Sequence, residues 1–300
     1  MRCPFSLRLF ALSTVGLSCV ALLGACGEPA TIAHSDAYQL VFADEFDAAG
    51  APSTTHWNIE TGYGPNDDGW GNNEWQLYTA SADNVRVDGG NLVLSARCPV
   101  APCGVRDGSV TSGKINSRDK FSFRFGKVEA RIKPPVGKAA WPAFWALGAN
   151  HPEVGWPRSG EIGLMEIHNF YSDEKTVHFM LHWCDETLQA PAPCAYPQGW
   201  VYEDQSSSFP LSLGDDFHVF SAEWDESRVV GKIDGMTYFT RAIDRPAMDE
   251  FLKEFYLILN VAMGGKVGSG DQAPDDSETF PQTMLVDYIR VYQTLDNSGD

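Results

Sequence analysis

Hydrophobic and polar residues follow one another in short runs along most of the chain. From Tyr38 onward, apolar stretches rich in Val, Ile, Phe and Tyr recur between clusters of Gly, Pro, Asn and Asp, and no long stretch has helical spacing. Strands are predicted at residues 219–224, 228–233, 255–263 and 284–292. The nearly continuous apolar run 255–263 is typical of a strand covered on both faces. Many short strands separated by turns indicate an all-β sandwich or barrel.

Local patterns add detail to this prediction. The Asp-Gly-Gly sequence at residues 88–90 lies between two apolar runs and predicts a hairpin. In residues 121–132 the apolar positions change parity at Gly126, which predicts one long strand with a bulge or kink there. Segment 245–253 is the best candidate for a short helix. No linker or repeat divides residues 38–295, so we expect one domain, followed by a polar tail at 296–300.

The first 25 residues have the composition of an export signal. Arg2 and Arg8 precede an apolar stretch, 9–23, that is too short and too interrupted for a membrane span. Residues 23–26 (LGAC) resemble a bacterial lipobox, in which Cys26 would carry lipid; an ordinary secretory signal cleaved nearby is the alternative. Residues 26–37 would then form a tether. We therefore expect an exported protein that meets the outer membrane or cell surface only through its lipid anchor.

The charge of the chain limits its partners. The formal net charge is −18, and removal of Arg2 and Arg8 with the signal makes it −20. A chain without clustered Lys and Arg cannot neutralise phosphates, so nucleic acid is excluded as a partner. A neutral ligand fits this acidic protein better than a polyanion does.

Four cysteines remain after the signal and the lipidated Cys26 are set aside. An even number of cysteines in an exported chain favours disulfides. Of the three possible connectivities, we favour the two local pairs, each closing a loop that contains proline. Zinc is the competing interpretation, but the spacings do not match common finger patterns. The four residues are Cys98, Cys103, Cys184 and Cys194.

The most informative segment is 160–169, GEIGLMEIHN, which places Glu161 and Glu166 five positions apart in a strand-like run. Side chains alternate faces in a regular strand, so this odd spacing would send the two carboxylates to opposite sides. One β-bulge between them would return both to the same face. Two convergent carboxylates suit the cleavage of a glycosidic bond, either with retention or with inversion of the anomeric configuration.

Nine segments, distributed in order along residues 42–293, carry a resemblance to a known family. The segments are FADEF (42–46), GWGNNEWQLYT (69–79), FSFRFGKVEARIK (121–133), WPAFWALG (141–148), GWPRSGEIGLMEI (155–167), HFMLHW (178–183), EWDESRVVGKIDG (223–235), LNVAMGG (259–265) and VDYIRVYQ (286–293). With these segments the chain resembles the family 16 glycoside hydrolases, and in particular the bacterial laminarinase-like branch. The resemblance implies a β-jelly roll (concanavalin-like) of two curved antiparallel sheets, with a polysaccharide cleft across the concave face.

By this similarity, Glu161 is the nucleophile and Glu166 the general acid and base of a retaining hydrolase. Such a division requires Glu166 to hold a proton near neutral pH while Glu161 is ionised. The family pattern is E-x-D-x-x-E, and here Gly163 stands where the family has an aspartate that assists the nucleophile. Glycine offers no side chain for that task, so we expect reduced activity.

The resemblance also implies further site residues. The substrate would be bound by Trp141, Trp145, His182, Asn73, Glu74, Trp183 and Asn260. Catalysis would need no cofactor. A structural calcium ion, which prefers oxygen ligands, would be held by Glu45, Gly90 and Asp287.

Three functions are compatible with these residues. The first is a monomeric endo-β-1,3-glucanase that cuts laminarin-like glucans. The second is a non-catalytic glucan-binding lipoprotein with the same cleft. The third is a family 16 hydrolase of mixed-linkage glucan or of a galactan.

Overall fold

A computed structural model describes residues 38–170, 174–188, 194, 200–274 and 277–294. The signal segment 1–25, the tether with Cys26 and the tail 296–300 lie outside these residues. The strands, in chain order, are β1 Tyr38–Asp44, β2 Asn58–Ile59, β3 Leu77–Tyr78, β4 Val85–Asp88, β5 Asn91–Ala96, β6 Thr111–Ser112, β7 Lys114–Asn116, β8 Gly126–Lys133, β9 Ala140–Gly148, β10 Glu161–Glu166, β11 Thr176–Cys184, β12 Trp200–Ser208, β13 His218–Trp224, β14 Arg228–Ile233, β15 Met236–Ala242, β16 Phe255–Met263 and β17 Gln282–Thr294.

Helical structure is limited to single turns in the described chain. The α-helices are α1 His151–Val154 and α2 Gly265–Ser269, and the other two helical turns are Gly69–Asn73 and Asp249–Leu252. The predicted helix at 245–253 is therefore only a four-residue turn. No helix among the described residues is long and apolar enough to cross a membrane.

Two large antiparallel sheets confirm the all-β sandwich prediction. The eight-stranded sheet has the order β15-β14-β13-β8-β17-β5-β4, with β1 paired to β17. The seven-stranded sheet has the order β12-β11-β10-β9-β16-β7-β2. A small parallel pair, β3 with β6, lies beside them. The described residues, from Tyr38 onward, group into one compact unit.

The inner faces of the two sheets enclose one hydrophobic core. Strand β16 is buried at every position, as its apolar run predicts. Its odd-numbered residues, such as Leu257, belong to the core between the sheets, whereas Tyr256 and Ile258 form a second small cluster with Leu147 on the other face. Strand β16 is thus covered on both faces, and the outer face of the seven-stranded sheet carries the candidate site.

The hairpin prediction is confirmed, and one strand prediction is wrong. Strands β4 and β5 pair across the turn at residues 88–91. The predicted long strand over 121–132 does not begin until Gly126, because the backbone has positive φ at both Phe125 (64°) and Gly126 (109°). A Cβ at position 126 would lie 2.1 Å from the carbonyl oxygen of Tyr292, so only glycine allows this approach of β8 to β17.

Both local disulfides are present. Cys98 bonds to Cys103 and Cys184 bonds to Cys194. The local connectivity is therefore confirmed. The second disulfide begins at the last residue of β11, next to the face that carries the candidate site.

Candidate active site

Strand β10 contains the predicted bulge. Its register against β11 shifts between Gly163 and Glu166, and its register against β9 shifts between Gly163 and Met165. One extra residue is inserted there, so Glu161 and Glu166 both face outward from the core. The apolar residues Ile162, Leu164 and Met165 belong to the core instead. The bulge prediction is confirmed, and it brings the two carboxylates to one surface.

Glu161 lies at the start of β10, in contact with a tryptophan and a histidine. Trp156 donates a hydrogen bond from Nε1 to Glu161 Oε2 over 3.0 Å, and His182 Nε2 lies 3.7 Å from Oε1. Burial raises the pKa of Glu161 to about 8, and the charge of Glu166 adds to this effect. The raised pKa favours the protonated form of Glu161 near neutral pH.

Glu166 lies at the end of β10, and its Oε2 has two hydrogen-bonding partners. Trp141 donates to it from Nε1 over 3.0 Å, and His168 Nε2 lies 3.2 Å away. Burial alone would raise the pKa of Glu166, but the hydrogen bond and charge of His168, with smaller effects from His182 and Trp141, hold the pKa below its usual value. Glu166 is therefore ionised.

These two pKa directions reverse the expected protonation of the pair. Retaining hydrolysis needs a proton on Glu166 and an ionised Glu161. The pKa directions run the other way, because His168 and Trp141 stabilise the charge of Glu166 and two neighbouring carboxylates cannot easily ionise together. The roles expected from the resemblance, with Glu161 as nucleophile and Glu166 as general acid and base, stay a prediction.

Gly163 lies between the two glutamates, and the carboxyl of Glu166 reaches into the space above it. A Cβ at position 163 would lie 2.5 Å from Glu166 Oε1 and 3.3 Å from Met180 Cβ. The side chain that the family has at this position would point to the same face as both glutamates. Its absence lets the Glu166 carboxyl occupy that space.

His168 was missed by the sequence reasoning, although its spacing could have revealed it. It lies two residues beyond Glu166, so strand alternation places it on the same face. Its ring stacks on His178 at 4.4 Å, and His178 Nδ1 lies 3.0 Å from Asp204 Oδ1. Asp204 and His178 thus hold His168 against Glu166.

Trp141 and Trp145 both lie on β9 on the side of the site, as predicted. Trp141 contacts Glu166 directly. Trp145 donates from Nε1 to Asn260 Oδ1 over 2.8 Å and packs against the small cluster of Leu147, Tyr256 and Ile258. Asn260 therefore orients a half-buried tryptophan at the position where the resemblance placed a sugar contact.

Asn73 and Glu74 lie at the turn that follows Gly69. The exposed Asn73 donates to Asp271 over 3.2 Å. Glu74 is 5% exposed, and burial raises its pKa; its Oε2 accepts a hydrogen bond from Gln76 over 2.7 Å. Glu74 is thus held inside the protein by neighbouring donors.

Lys114 is a buried cation that the sequence reasoning did not identify. Its Nζ lies 3.1 Å from Glu60 Oε2 and 3.8 Å from the ring centre of Trp70. It also lies 5.5 Å from the ring centre of Trp145, which joins it to the site. Its charge lowers the pKa of both Glu74 and Glu161, although burial outweighs this effect in each.

The prediction that Trp183 contacts substrate is wrong. Side chains alternate along β11, so His182 faces Glu161 and the next residue faces the core. Trp183 is 4% exposed and meets Phe251 at 6.2 Å between ring centres. Its role is packing. His182 does lie in the site, where Trp200 donates from Nε1 to its Nδ1 over 3.1 Å.

Two of the three residues predicted to bind calcium, Glu45 and Asp287, form ion pairs with arginines. Arg290 forms a two-pronged ion pair with Glu45, with both N–O distances at 2.8 Å. Arg131 Nη1 lies 2.8 Å from Asp287 Oδ2. A calcium ion would have to compete with both guanidinium groups for these carboxylates. The calcium hypothesis stays a prediction.

Comparisons with known proteins agree with this site. The model of the family "Glycosyl hydrolases family 16" matches residues 72–290. The chain is 35% identical over 274 residues to glucan endo-1,3-beta-glucosidase A1 of Niallia circulans, covering 85% of this chain but only 38% of that relative. It is 34% identical to the beta-glucanase of Rhodothermus marinus, covering 86% of each.

A solved structure adds agreement in three dimensions. The catalytic domain of an endo-1,3-beta-glucanase (laminarinase) from Thermotoga petrophila is 36% identical, with a TM-score of 0.71, and the match covers 86% of this chain and 99% of that one. Sequence, fold and the placement of the two glutamates on one bulged strand thus point the same way. The chain belongs to family 16 of the glycosyl hydrolases.

Proposed function

We propose that this protein is an endo-β-1,3-glucanase that cuts laminarin-like glucans with retention of configuration. The bulge in β10 carries the proposal, because it brings Glu161 and Glu166 to one face of the sheet. Glu161 would attack the anomeric carbon while Glu166 gives its proton to the leaving oxygen. The bond to the leaving oxygen breaks as the bond to Glu161 forms. Water, deprotonated by Glu166, would then attack the same anomeric carbon and release Glu161 as a carboxylate. The names of the relatives support the β-1,3 linkage.

Before that step, one proton must move from Glu161 to Glu166. Only one of the two carboxyls needs to be protonated, and the opposite pKa directions of the pair favour the proton on Glu161. Bound sugar would exclude water and offer Glu166 an oxygen to which it can donate. The free-energy cost of this proton shift would lower turnover, which agrees with the reduced activity expected from Gly163.

The test is the release of reducing ends from laminarin, with wild type compared with Glu161→Gln. We expect hydrolysis in the wild type, none above background in the variant, and retained laminarin affinity in both. The matched control is Glu226→Gln, which changes an exposed glutamate in the turn between β13 and β14. NMR of the first product gives the anomeric configuration. Wild-type rates in Glu161→Gln would remove Glu161 from the nucleophile role.

A non-catalytic glucan-binding protein is the second candidate, and Gly163 together with the reversed protonation favours it. Retained laminarin binding without any release of reducing ends would support this second function. Activity on mixed-linkage glucan or on a galactan, in preference to laminarin, would support the third function instead. A product profile on defined glucans separates these outcomes.

Export and lipid anchoring are inferred from residues 1–26 alone. We propose that Cys26 is lipidated and that the protein is a monomer held at the outer membrane or cell surface. Labelling of the full chain with a fatty-acid analogue, lost in Cys26→Ser, would test the anchor. Light scattering of the soluble domain would test the monomeric state.

A further inference from the structure

A row of aromatic rings extends from Glu161 to β12, the strand at one edge of the seven-stranded sheet. Trp156, which donates to Glu161, has its ring centre 5.1 Å from that of Trp200. The ring of Trp200 lies 5.6 Å from that of Tyr202. The row is therefore continuous with the catalytic pair.

His182 supports this row from β11. Its ring stacks with Trp200 at 5.7 Å and 21°, and with Tyr202 at 5.9 Å and 25°. The hydrogen bond from Trp200 to His182 Nδ1 fixes the relative orientation of these two rings. His182 also lies 3.7 Å from Glu161, so the rings are held on the same face as the catalytic carboxylates.

Packing does not account for the exposure of these rings. Tyr202 is 58% exposed and Trp156 is 44% exposed, while Trp200 is half-buried. Single exposed aromatic residues are common on protein surfaces, but a connected group beside a reactive site marks a binding surface. All three residues lie outside the main core.

We propose that Trp200 and Tyr202 form a sugar-binding platform for the part of the glucan chain that extends from Glu161 across β11 and β12. This inference rests on the proposed function, because it names where the same substrate continues. Neighbouring strands lie about 4.8 Å apart, so β12 is about two strand spacings, roughly 10 Å, from the catalytic strand. The platform would hold sugar units next to the one being cut.

The chemistry of the platform favours a neutral glucan. Flat aromatic rings offer apolar faces to the C–H faces of a sugar, and the rim of a tyrosine offers a hydroxyl group. Asp204 follows on the same face of β12, and the whole chain has a net charge of −18, so a sulfated or carboxylated polysaccharide would be repelled.

The test measures binding of laminarihexaose by calorimetry in the inactive Glu161→Gln background. We expect Tyr202→Ala to raise the Kd about five- to tenfold, whereas Tyr202→Phe, which keeps the ring, changes it less than twofold. The matched control is Tyr38→Ala, which removes a 46% exposed tyrosine from β1 in the other sheet. In the active background, Tyr202→Ala should also change the bonds at which the hexaose is cut.

Trp200 needs two variants, because it also supports His182. Trp200→Phe loses the hydrogen bond but keeps a ring, whereas Trp200→Ala loses both. A platform predicts that the alanine variant binds hexaose much more weakly than the phenylalanine variant. If both variants lose hexaose affinity equally, Trp200 acts by supporting His182, and its part in the platform is overturned.

Failure of this inference can be told apart from failure of the proposed function. Unchanged hexaose affinity in Tyr202→Ala, or an equal loss in Tyr38→Ala, would overturn the platform while hydrolysis by the wild type still supports the hydrolase. Weaker hexaose binding in Tyr202→Ala, with no hydrolysis by the wild type, would support the platform and refute the hydrolase.

Discussion

Replacement of Gly163 by aspartate tests the physical account of the site most directly. A Cβ at this position would lie 2.5 Å from Glu166 Oε1, so the Glu166 carboxyl must move away. That oxygen is the end of a flexible side chain, and Met180 Cβ at 3.3 Å needs to yield only slightly. The new carboxyl would then lie between Glu161 and Glu166. The fold should tolerate the change.

We expect Gly163→Asp to raise turnover by about tenfold at pH 7. A carboxyl with a pKa of about 8, like that of Glu161, is ionised in only about one molecule in ten at that pH. Three carboxyls in one small site cannot all ionise, so the middle one stays protonated and donates to Glu161. Glu161 then ionises, while Glu166, moved away from His168, takes up a proton more readily.

The assay compares kcat on laminarin for wild type, Gly163→Asp and Gly163→Ala. The alanine variant displaces the Glu166 carboxyl in the same way but adds no acid, so we expect its kcat to stay at or below the wild-type value. Laminarin affinity should change little in both variants. Equal rates for the two variants, or a lower rate in Gly163→Asp than in wild type, would refute the reasoning.

The remaining predictions concern stability. Trp183→Ala should lower the free energy of unfolding by about 3–5 kcal/mol in urea without weakening laminarin binding, because Trp183 packs in the core; weaker binding at full stability would contradict this. Burial raises the pKa of Glu250 to about 7. The folded protein therefore binds a proton at Glu250 more tightly than the unfolded chain does. The stability that this adds is complete below the unfolded pKa of about 4.3 and is lost as the pH rises through about 7. In Glu250→Gln the urea midpoint should therefore decrease less between pH 5 and 8 than it does in the wild type. An equal decrease in both proteins would contradict the raised pKa of Glu250. Millimolar calcium should raise the Tm by less than about 2 °C, because arginines already neutralise Glu45 and Asp287; a Tm that climbs steadily with calcium concentration would restore the calcium site.

Much of the fold followed from local patterns. The apolar run 255–263 predicted β16 at its true bounds, and the glycine turn predicted the hairpin of β4 and β5. The start of β8 was mistaken because the parity change at Gly126 is a close contact with β17 and not a kink within one strand. Such a contact joins residues far apart in the sequence, so no local pattern reveals it.

The candidate site, like the fold, was predicted from the sequence only in part. The spacing of Glu161 and Glu166 determined that a bulge must bring them together, because strand alternation allows no other way to share a face. Alternation could also have shown that Trp183 and His182 face opposite sides. The pKa values of the two glutamates could not be predicted from strand alternation. They depend on burial and on hydrogen-bond donors from other strands and loops, such as Trp141 and Trp156. The sequence thus determined which groups meet, and only the packing of the sheets decided which of them holds the proton.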